Sequence, residues 1–265
     1  MEMSSVKMVY FSPTGTTRSV VQGIAEGMNP GTRESIDITP PEARERPLKV
    51  SESDLLVIGV PVYMGRVPAL LGAWLDAIEA DNTPTVCVVV YGNRVYDNAL
   101  LELTDMVKNR GGVPIAGAAY IGEHSFSNAE TPSLGRPDAN DLAHAKHLGQ
   151  KIREKLLSVQ SVSQLSEVEV PGSYPYEGAT TLWDVDFIAV SEECTQCGVC
   201  AKVCPVGAVD PDNSSIIDQH KCITCCACLK KCPQNARTMK PGPVQEAQQR
   251  INTLYVEYKK PEYYL

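Results

Sequence analysis

Val6-Lys7-Met8-Val9-Tyr10-Phe11-Ser12-Pro13-Thr14-Gly15-Thr16-Thr17 is the stretch on which the fold turns. A β-prone apolar run ends at Phe11 and a hydroxyl-rich turn follows. Val20, Val21, Ile24, Ala25 and Met28 then recur with the spacing of one helix face, until Asn29-Pro30 stops it. Strand, turn and helix in that order place hydroxyls and free backbone N–H groups at a helix N-terminus, where they solvate an anion without a Lys or Arg. The glycine-rich loop of nucleoside triphosphatases and the G-x-G-x-x-G pattern are both missing from the turn, which disfavours nucleoside triphosphate and NAD there.

Outward from this turn the alternation continues. Ser35 to Ile38, Leu55 to Val60, Thr85 to Val90 and Pro114 to Tyr120 read as four further strands, the Leu55 and Thr85 runs being continuously apolar and suited to burial on both faces. Helical spacing recurs at Leu70, Leu71, Trp74, Leu75 and Ile78. It recurs again at Leu100, Leu103, Met106 and Val107 before Gly111-Gly112, and at Leu142, Ala145, Leu148, Ile152 and Leu156. Residues 39–53 hold three prolines and many charges, so the helix of that crossover is short or absent. Residues 1–157 are thus predicted to form an α/β, doubly wound, five-stranded parallel sheet. Residues 158–184, polar and then rich in Pro, Gly and Tyr, read as a linker, and residues 185–240 as a cysteine-rich unit. In the tail, residues 241–265, Val244, Ala247, Ile251, Leu254 and Tyr258 share a helical face expected to dock on one of the two domains.

Nine of the ten cysteines lie between Cys194 and Cys232. Cys194, Cys197, Cys200 and Cys204, followed by Pro205, spell C-x2-C-x2-C-x3-C-P, and Cys222, Cys225, Cys228 and Cys232, followed by Pro233, repeat it. Such a triplet lets one tight loop offer three thiolates to three irons of a cube. Small or apolar neighbours such as Gly198, Ala201 and Ala227 let backbone amides approach cluster sulfurs. A pair of zinc sites is the competing reading, but zinc motifs separate two cysteine pairs by a longer stretch and have no use for an evenly spaced third cysteine. Cys226 interrupts the repeat and reads as a small buried side chain against a spare ligand; Cys87 reads as core.

The duplicated motif resembles the bacterial two-cluster ferredoxins. By that resemblance Cys194, Cys197, Cys200 and Cys232 hold one [4Fe-4S] cluster, and Cys222, Cys225, Cys228 and Cys204 hold the other. The turn of Ser12, Thr14, Gly15, Thr16 and Thr17 is similar to the phosphate loop of flavodoxins, which implies FMN as ligand. Pro61, Val62, Tyr63, Met64 and Gly65 fit the first flavin loop of that family. Tyr91, Gly92, Asn93, Arg94, Tyr96 and Asp97 fit the second, with Tyr96 placed to stack on the ring. The first loop lacks a Trp, so stacking there falls to Tyr63, to Met64 or to neither. The resemblance implies the strand order 2-1-3-4-5, with FMN at the switch point between the first and third strands. A flavodoxin-like domain fused to a small α+β two-cluster ferredoxin implies an electron-transfer protein that passes electrons between FMN and two clusters and on to redox partner proteins. Its alternatives are a flavin-dependent reductase of a quinone or metal ion fed by the clusters, and a redox subunit or sensor of a larger complex.

A formal charge of −8 argues against nucleic acid and for partners that dock through a basic patch. No apolar run reaches membrane-crossing length and no signal-like region follows Met1, so a reducing cytoplasm without disulfides is expected. No Ser/His/Asp or paired-carboxylate arrangement marks a catalytic centre. His124, Ser125 and Phe126 follow the fifth strand at the ligand edge of the sheet, where a role at the flavin or the domain interface stands beside plain packing. His144 and His147 are expected to face solvent.

Overall fold

The structure is a computed structural model and describes residues 1, 3–178 and 184–265, so residues 179–183 of the expected linker lie outside the described residues. The chain begins with β1 (Ser5–Tyr10), α1 (Thr16–Met28), β2 (Arg33–Asp37), β3 (Lys49–Ser51), β4 (Asp54–Pro61) and α2 (Gly72–Asp76). It continues through β5 (Glu79–Asp81), β6 (Thr83–Tyr91), α3 (Ala99–Lys108), β7 (Gly112–Ile121) and α4 (Ala139–Leu157). The five long strands lie side by side as β2, β1, β4, β6, β7, all parallel, which is the 2-1-3-4-5 order. Every residue of β6 is buried because helices cover both faces of the sheet. On one face α1 and α4 seat Val21, Ile24, Leu148 and Ile152 over Val57 and Val88; on the other, Trp74 and Leu75 of α2 and Leu100 and Leu103 of α3 cover Ile58 and Val89. α1 and α4 meet backbone to backbone, since a Cβ at Gly27 would lie 1.8 Å from the Lys146 carbonyl oxygen.

Departures from the expected elements have local causes. The crossover after β2 contains one 3-10 turn, Pro41–Arg44, because prolines flank and open it. The helix expected through Ile78 shrinks to a 3-10 turn, Ala69–Leu71, followed by α2. Past it, the Glu79 N–H donates to the Leu48 carbonyl, and β5 pairs with β3 in a small parallel sheet. His144 is not turned to solvent as expected: its Nδ1 lies 2.9 Å from the Tyr120 hydroxyl and its ring packs on Tyr263. His147 is exposed.

In the cysteine-rich part β8 (Ile188–Val190) pairs antiparallel with β9 (Arg237–Met239). The one-turn helices α5 (Val199–Lys202) and α6 (Ala227–Lys230) carry the third cysteine of each triplet. The internal repeat extends to the backbone, since Gln196 and Gly198 are left-handed (φ 56° and 72°) and so are Thr224 and Cys226 (φ 51° and 56°). Cys226 therefore stands where the first motif uses glycine, and it is buried among Phe187, Ile188 and Val244.

The tail is α7 (Pro243–Leu254) followed by β10 (Glu262–Tyr264). α7 stops before Tyr258, which was expected on its face and instead lies under the Arg136 guanidinium, 4.7 Å from ring centroid to Cζ. β10 adds antiparallel to β7 as a sixth, edge strand that sequence periodicity did not reveal; Pro261 sits just before it, at an edge where its missing N–H costs no ladder bond. Two further ties join the halves. Arg44 Nη2 donates to the Pro205 carbonyl (2.5 Å), and Lys230 Nζ donates to Glu123 Oε1 and Ser127 Oγ (2.5 Å each).

Candidate functional site

At the C-terminal ends of β1, β4, β6 and β7 the connecting loops enclose a pocket. Its floor is the turn between β1 and α1, where Gly15 caps the helix in a left-handed conformation (φ 99°) and Ser12 Oγ accepts from the Arg18 N–H (3.0 Å), leaving the Thr16 and Thr17 N–H groups of the first turn without a side-chain cap. Thr17 is 1% exposed and its Oγ1 has no hydrogen-bond partner. A buried hydroxyl without a partner is costly, so this atom marks the place of a missing acceptor or donor. Together with the Thr16 and Thr17 N–H groups of the first turn it fits a phosphate.

Ser12, Thr14, Thr16 and Thr17 all line the pocket, and so do Pro61, Val62, Tyr63 and Met64 from the loop after β4 and Tyr91 and Gly92 from the loop after β6. Gly65 shapes its loop from outside (φ 83°), where a Cβ would lie 2.4 Å from Asp97 Oδ2. Gly15 is not in the lining either, and of the loop after β6 four expected residues, Asn93, Arg94, Tyr96 and Asp97, do not line the pocket. The Asn93 amide donates to the Tyr255 and Glu257 carbonyls (2.7 and 3.0 Å), Arg94 pairs with Asp97, and the Tyr96 hydroxyl donates to Glu262 (2.8 Å) and meets the Tyr264 hydroxyl (3.0 Å). The tail supplies the partners of Asn93 and Tyr96, and its Lys259 also donates to the Arg94 carbonyl, whereas the Arg94–Asp97 pair lies within the loop.

Two segments line the pocket that were not assigned to it from sequence. One is residues 122–126 after β7, the other is Ile223 and Thr224 from the second cysteine triplet. The position of His124 at the ligand edge was the signal for the first; nothing local announces the second. His124 Nδ1 accepts from the Phe126 N–H (3.0 Å), and its ring lies so close to Gly92 that a Cβ there would be 2.2 Å from His124 Cδ2. Burial pushes His124 down to about 4, and the Lys230 ammonium acts in the same direction. The ring is therefore neutral, with its proton on Nε2. Burial, and then the neighbouring Cys225 and Cys226 sulfurs, push the Tyr63 hydroxyl well above its ordinary value. Tyr63 thus belongs at once to the pocket wall and to the surroundings of the second triplet.

The cysteines gather in two groups. Cys194, Cys197, Cys200 and Cys232 line one cavity. Cys204, Cys222, Cys225 and Cys228 line another, with Cys226. The last cysteine of each motif thus sits with the triplet of the other. Among the described residues no three His, Cys, Asp or Glu side chains close on a single metal ion. The Ala208 N–H points at Cys204 Sγ (3.2 Å), the kind of amide contact that stabilises sulfur-borne negative charge.

Residues 17–126 match the family model described as NADPH-dependent FMN reductase, and residues 188–210 match that of the 4Fe-4S binding domain. The chain is a flavodoxin-like domain joined to a 4Fe-4S domain. Solved structures similar to the flavodoxin-like domain include a flavodoxin from the domain Archaea, 16% identical, covering 58% of this chain and 99% of that one with a TM-score of 0.40. Flavodoxin 1 from Bacillus cereus is also 16% identical (57% and 98% covered, TM-score 0.42). Rubredoxin oxygen:oxidoreductase from Desulfovibrio gigas is 14% identical (59% and 37% covered, TM-score 0.42). No curated protein matches the chain. Among the described residues no helix is long and apolar enough to cross a membrane.

Proposed function

We propose that this chain is an electron-transfer protein that passes electrons between FMN and two [4Fe-4S] clusters and on to redox partner proteins. FMN takes electrons singly or in pairs and each cluster carries one, so together they convert between the two. Thr14, Thr16 and Thr17 with the first turn of α1 would hold the phosphate, and Tyr63, Met64, Tyr91, Gly92 and His124 would wall the ring. Cys222, Cys225, Cys228 and Cys204 would hold an inner cluster, and Cys194, Cys197, Cys200 and Cys232 an outer one.

The observation that carries this reading is that Ile223 and Thr224, from between the cysteines of the second triplet, are part of the wall of the flavin pocket. A cysteine loop used only for structure has no reason to line that pocket. Cys197 is exposed, as are Glu192, Glu193 and Asp212 of the same cysteine-rich part, and the chain carries a formal charge of −8, so a basic partner is the one it attracts. A second reading, an FMN-dependent reductase of a small acceptor, draws on the description of the family model; steady-state turnover with quinones and ferric chelates tests it. The primary test is an anaerobic redox titration with iron, sulfide and flavin analysis, for which about eight iron and eight sulfide with one FMN are expected. Zinc in place of iron, or FAD in place of FMN, would overturn the cofactor assignment.

A further inference from the structure

Arg237 opens β9 and is 4% exposed. Its Nη2 donates to the Ser214 carbonyl, whereas Nη1 has no partner. A guanidinium stays charged at any ordinary pH, and a buried one without a counter-charge is strongly unfavourable. The orphaned nitrogen belongs to a side chain that lines the cavity ringed by Cys194, Cys197, Cys200 and Cys232. The same side chain also hydrogen-bonds to Cys228 of the other set, although of the two cysteine-lined cavities it lines only the first.

The internal repeat shows that the fold does not need a cation here. Cys204-Pro205-Val206-Gly207-Ala208-Val209 corresponds to Cys232-Pro233-Gln234-Asn235-Ala236-Arg237, with Gly207 and Asn235 both left-handed (φ 60° and 51°). At the place equivalent to Arg237 the first motif has Val209, buried at 3%. One half closes this corner with an apolar side chain, and the other with a buried cation that lacks a carboxylate.

We propose that Arg237 is the buried counter-cation of the outer cluster, the one held by Cys194, Cys197, Cys200 and Cys232, and that it raises the potential of that cluster relative to an apolar surrounding; the proposal rests on the two-cluster reading above. Adding an electron makes a thiolate-ligated cluster more negative, so a fixed cation in a low-dielectric site favours the reduced form. The electron then comes to rest at the end of the chain of carriers that faces a partner, rather than beside the flavin.

The test is an anaerobic EPR-monitored redox titration of the wild type, Arg237→Met and Arg237→Lys, with iron and sulfide analysis. Signals are assigned to each cluster by Cys197→Ser and Cys225→Ser. Arg237→Met is expected to keep its iron and to shift the one-electron equilibrium of the outer cluster toward the oxidised form by at least about tenfold, which is about 59 mV. The inner cluster shifts less, and Arg237→Lys stays near the wild type. Iron retained with both midpoints unmoved in Arg237→Met overturns the proposal. Should Arg237→Met lose iron, Arg237→Lys decides: retention of both cluster and midpoint supports the charge role, whereas the same loss makes Arg237 a packing residue and overturns it. A wild-type protein without two clusters removes the underlying reading and the proposal with it, a failure separable from the others because it is seen in the metal content alone.

Discussion

At the scale of single residues, the site is defined by side chains whose bonding is incomplete without a ligand. Thr17 Oγ1 is the clearest, and replacing Thr17 by Ala removes a donor to phosphate in a pocket with no compensating Lys or Arg on its lining. FMN affinity is expected to fall by about 1 to 3 kcal/mol, while riboflavin, which lacks the phosphate, binds as before. Isothermal titration with both ligands measures this, and equal losses would move the phosphate elsewhere. The cysteines make an equally local prediction. Cys204 shares a cavity with Cys222, Cys225 and Cys228, so Cys204→Ser is expected to perturb the same EPR signal as Cys225→Ser and leave the Cys197→Ser signal intact. Cys226→Ser is expected to leave both signals in place, because that side chain packs with Phe187 and Val244 in the apolar cluster.

Elements decide which of these residues meet. The loop after β6 was expected to be a flavin loop through the resemblance to flavodoxins, and of its expected members only Tyr91 and Gly92 face the pocket. Asn93, the Arg94 carbonyl and Tyr96 bond to the tail, a partner more than 150 positions away along the chain, and Asp97 pairs with the Arg94 side chain. Tyr96→Phe is therefore expected to lower thermal stability by the equivalent of about 0.5 to 1.5 kcal/mol while FMN affinity stays unchanged; a selective loss of FMN binding would restore Tyr96 to the ring. Gly92→Ala is expected to do the reverse. Its Cβ would drive the His124 ring out of place, so FMN and riboflavin should both bind more weakly, by equal factors, with little change in melting temperature. β10 has a further role, since it covers the edge of β7 that would otherwise present unpaired backbone groups.

At the scale of the whole molecule, the contacts between the two halves set the distance over which an electron must move. Lys230 ties α6, the helix that carries the third cysteine of the second triplet, to Glu123 on the rim of the flavin pocket, so Lys230→Ala is expected to slow electron exchange between inner cluster and flavin without loss of either cofactor. Stopped-flow absorbance after rapid partial reduction reads the rate; an unchanged rate would show that the tie is dispensable. The same contact has a pH signature. Burial alone would raise the Glu123 carboxyl, but hydrogen bonds from Lys230, Ser127 and the Gly135 N–H outweigh it and hold it below the usual carboxylate range. A depressed carboxylate stabilises the docked state above its unfolded value, and that contribution is lost as pH falls through its depressed value. Small-angle scattering is expected to show the halves separating in acid, with no such acid step in Glu123→Gln; separation on raising the pH instead would contradict the assignment.

Much of this protein was legible along the chain because its determinants are local. Periodicity of apolar residues specifies the strands and the helices α1, α3 and α4, and a spacing of three between cysteines is itself the geometry of a cluster loop. Residues far apart in sequence carry no such mark. That Asn93, Arg94 and Tyr96 turn to the tail, that Glu262 to Tyr264 extend the sheet, and that Ile223 and Thr224 reach the flavin pocket depend on how the two halves pack. So does the state of Arg237, whose charge is visible in the sequence but whose unpaired Nη1 and missing carboxylate exist only once the chain has closed around it. Local pattern was enough for the α/β alternation of the first half and for the two cysteine motifs, because those signals are short-range, whereas the crossing of Cys204 and Cys232 to the other motif's triplet was expected only from the resemblance to ferredoxins. Tertiary structure alone decided which cluster loop faces the flavin and which faces outward, because that choice is made by contacts between segments that local pattern does not connect.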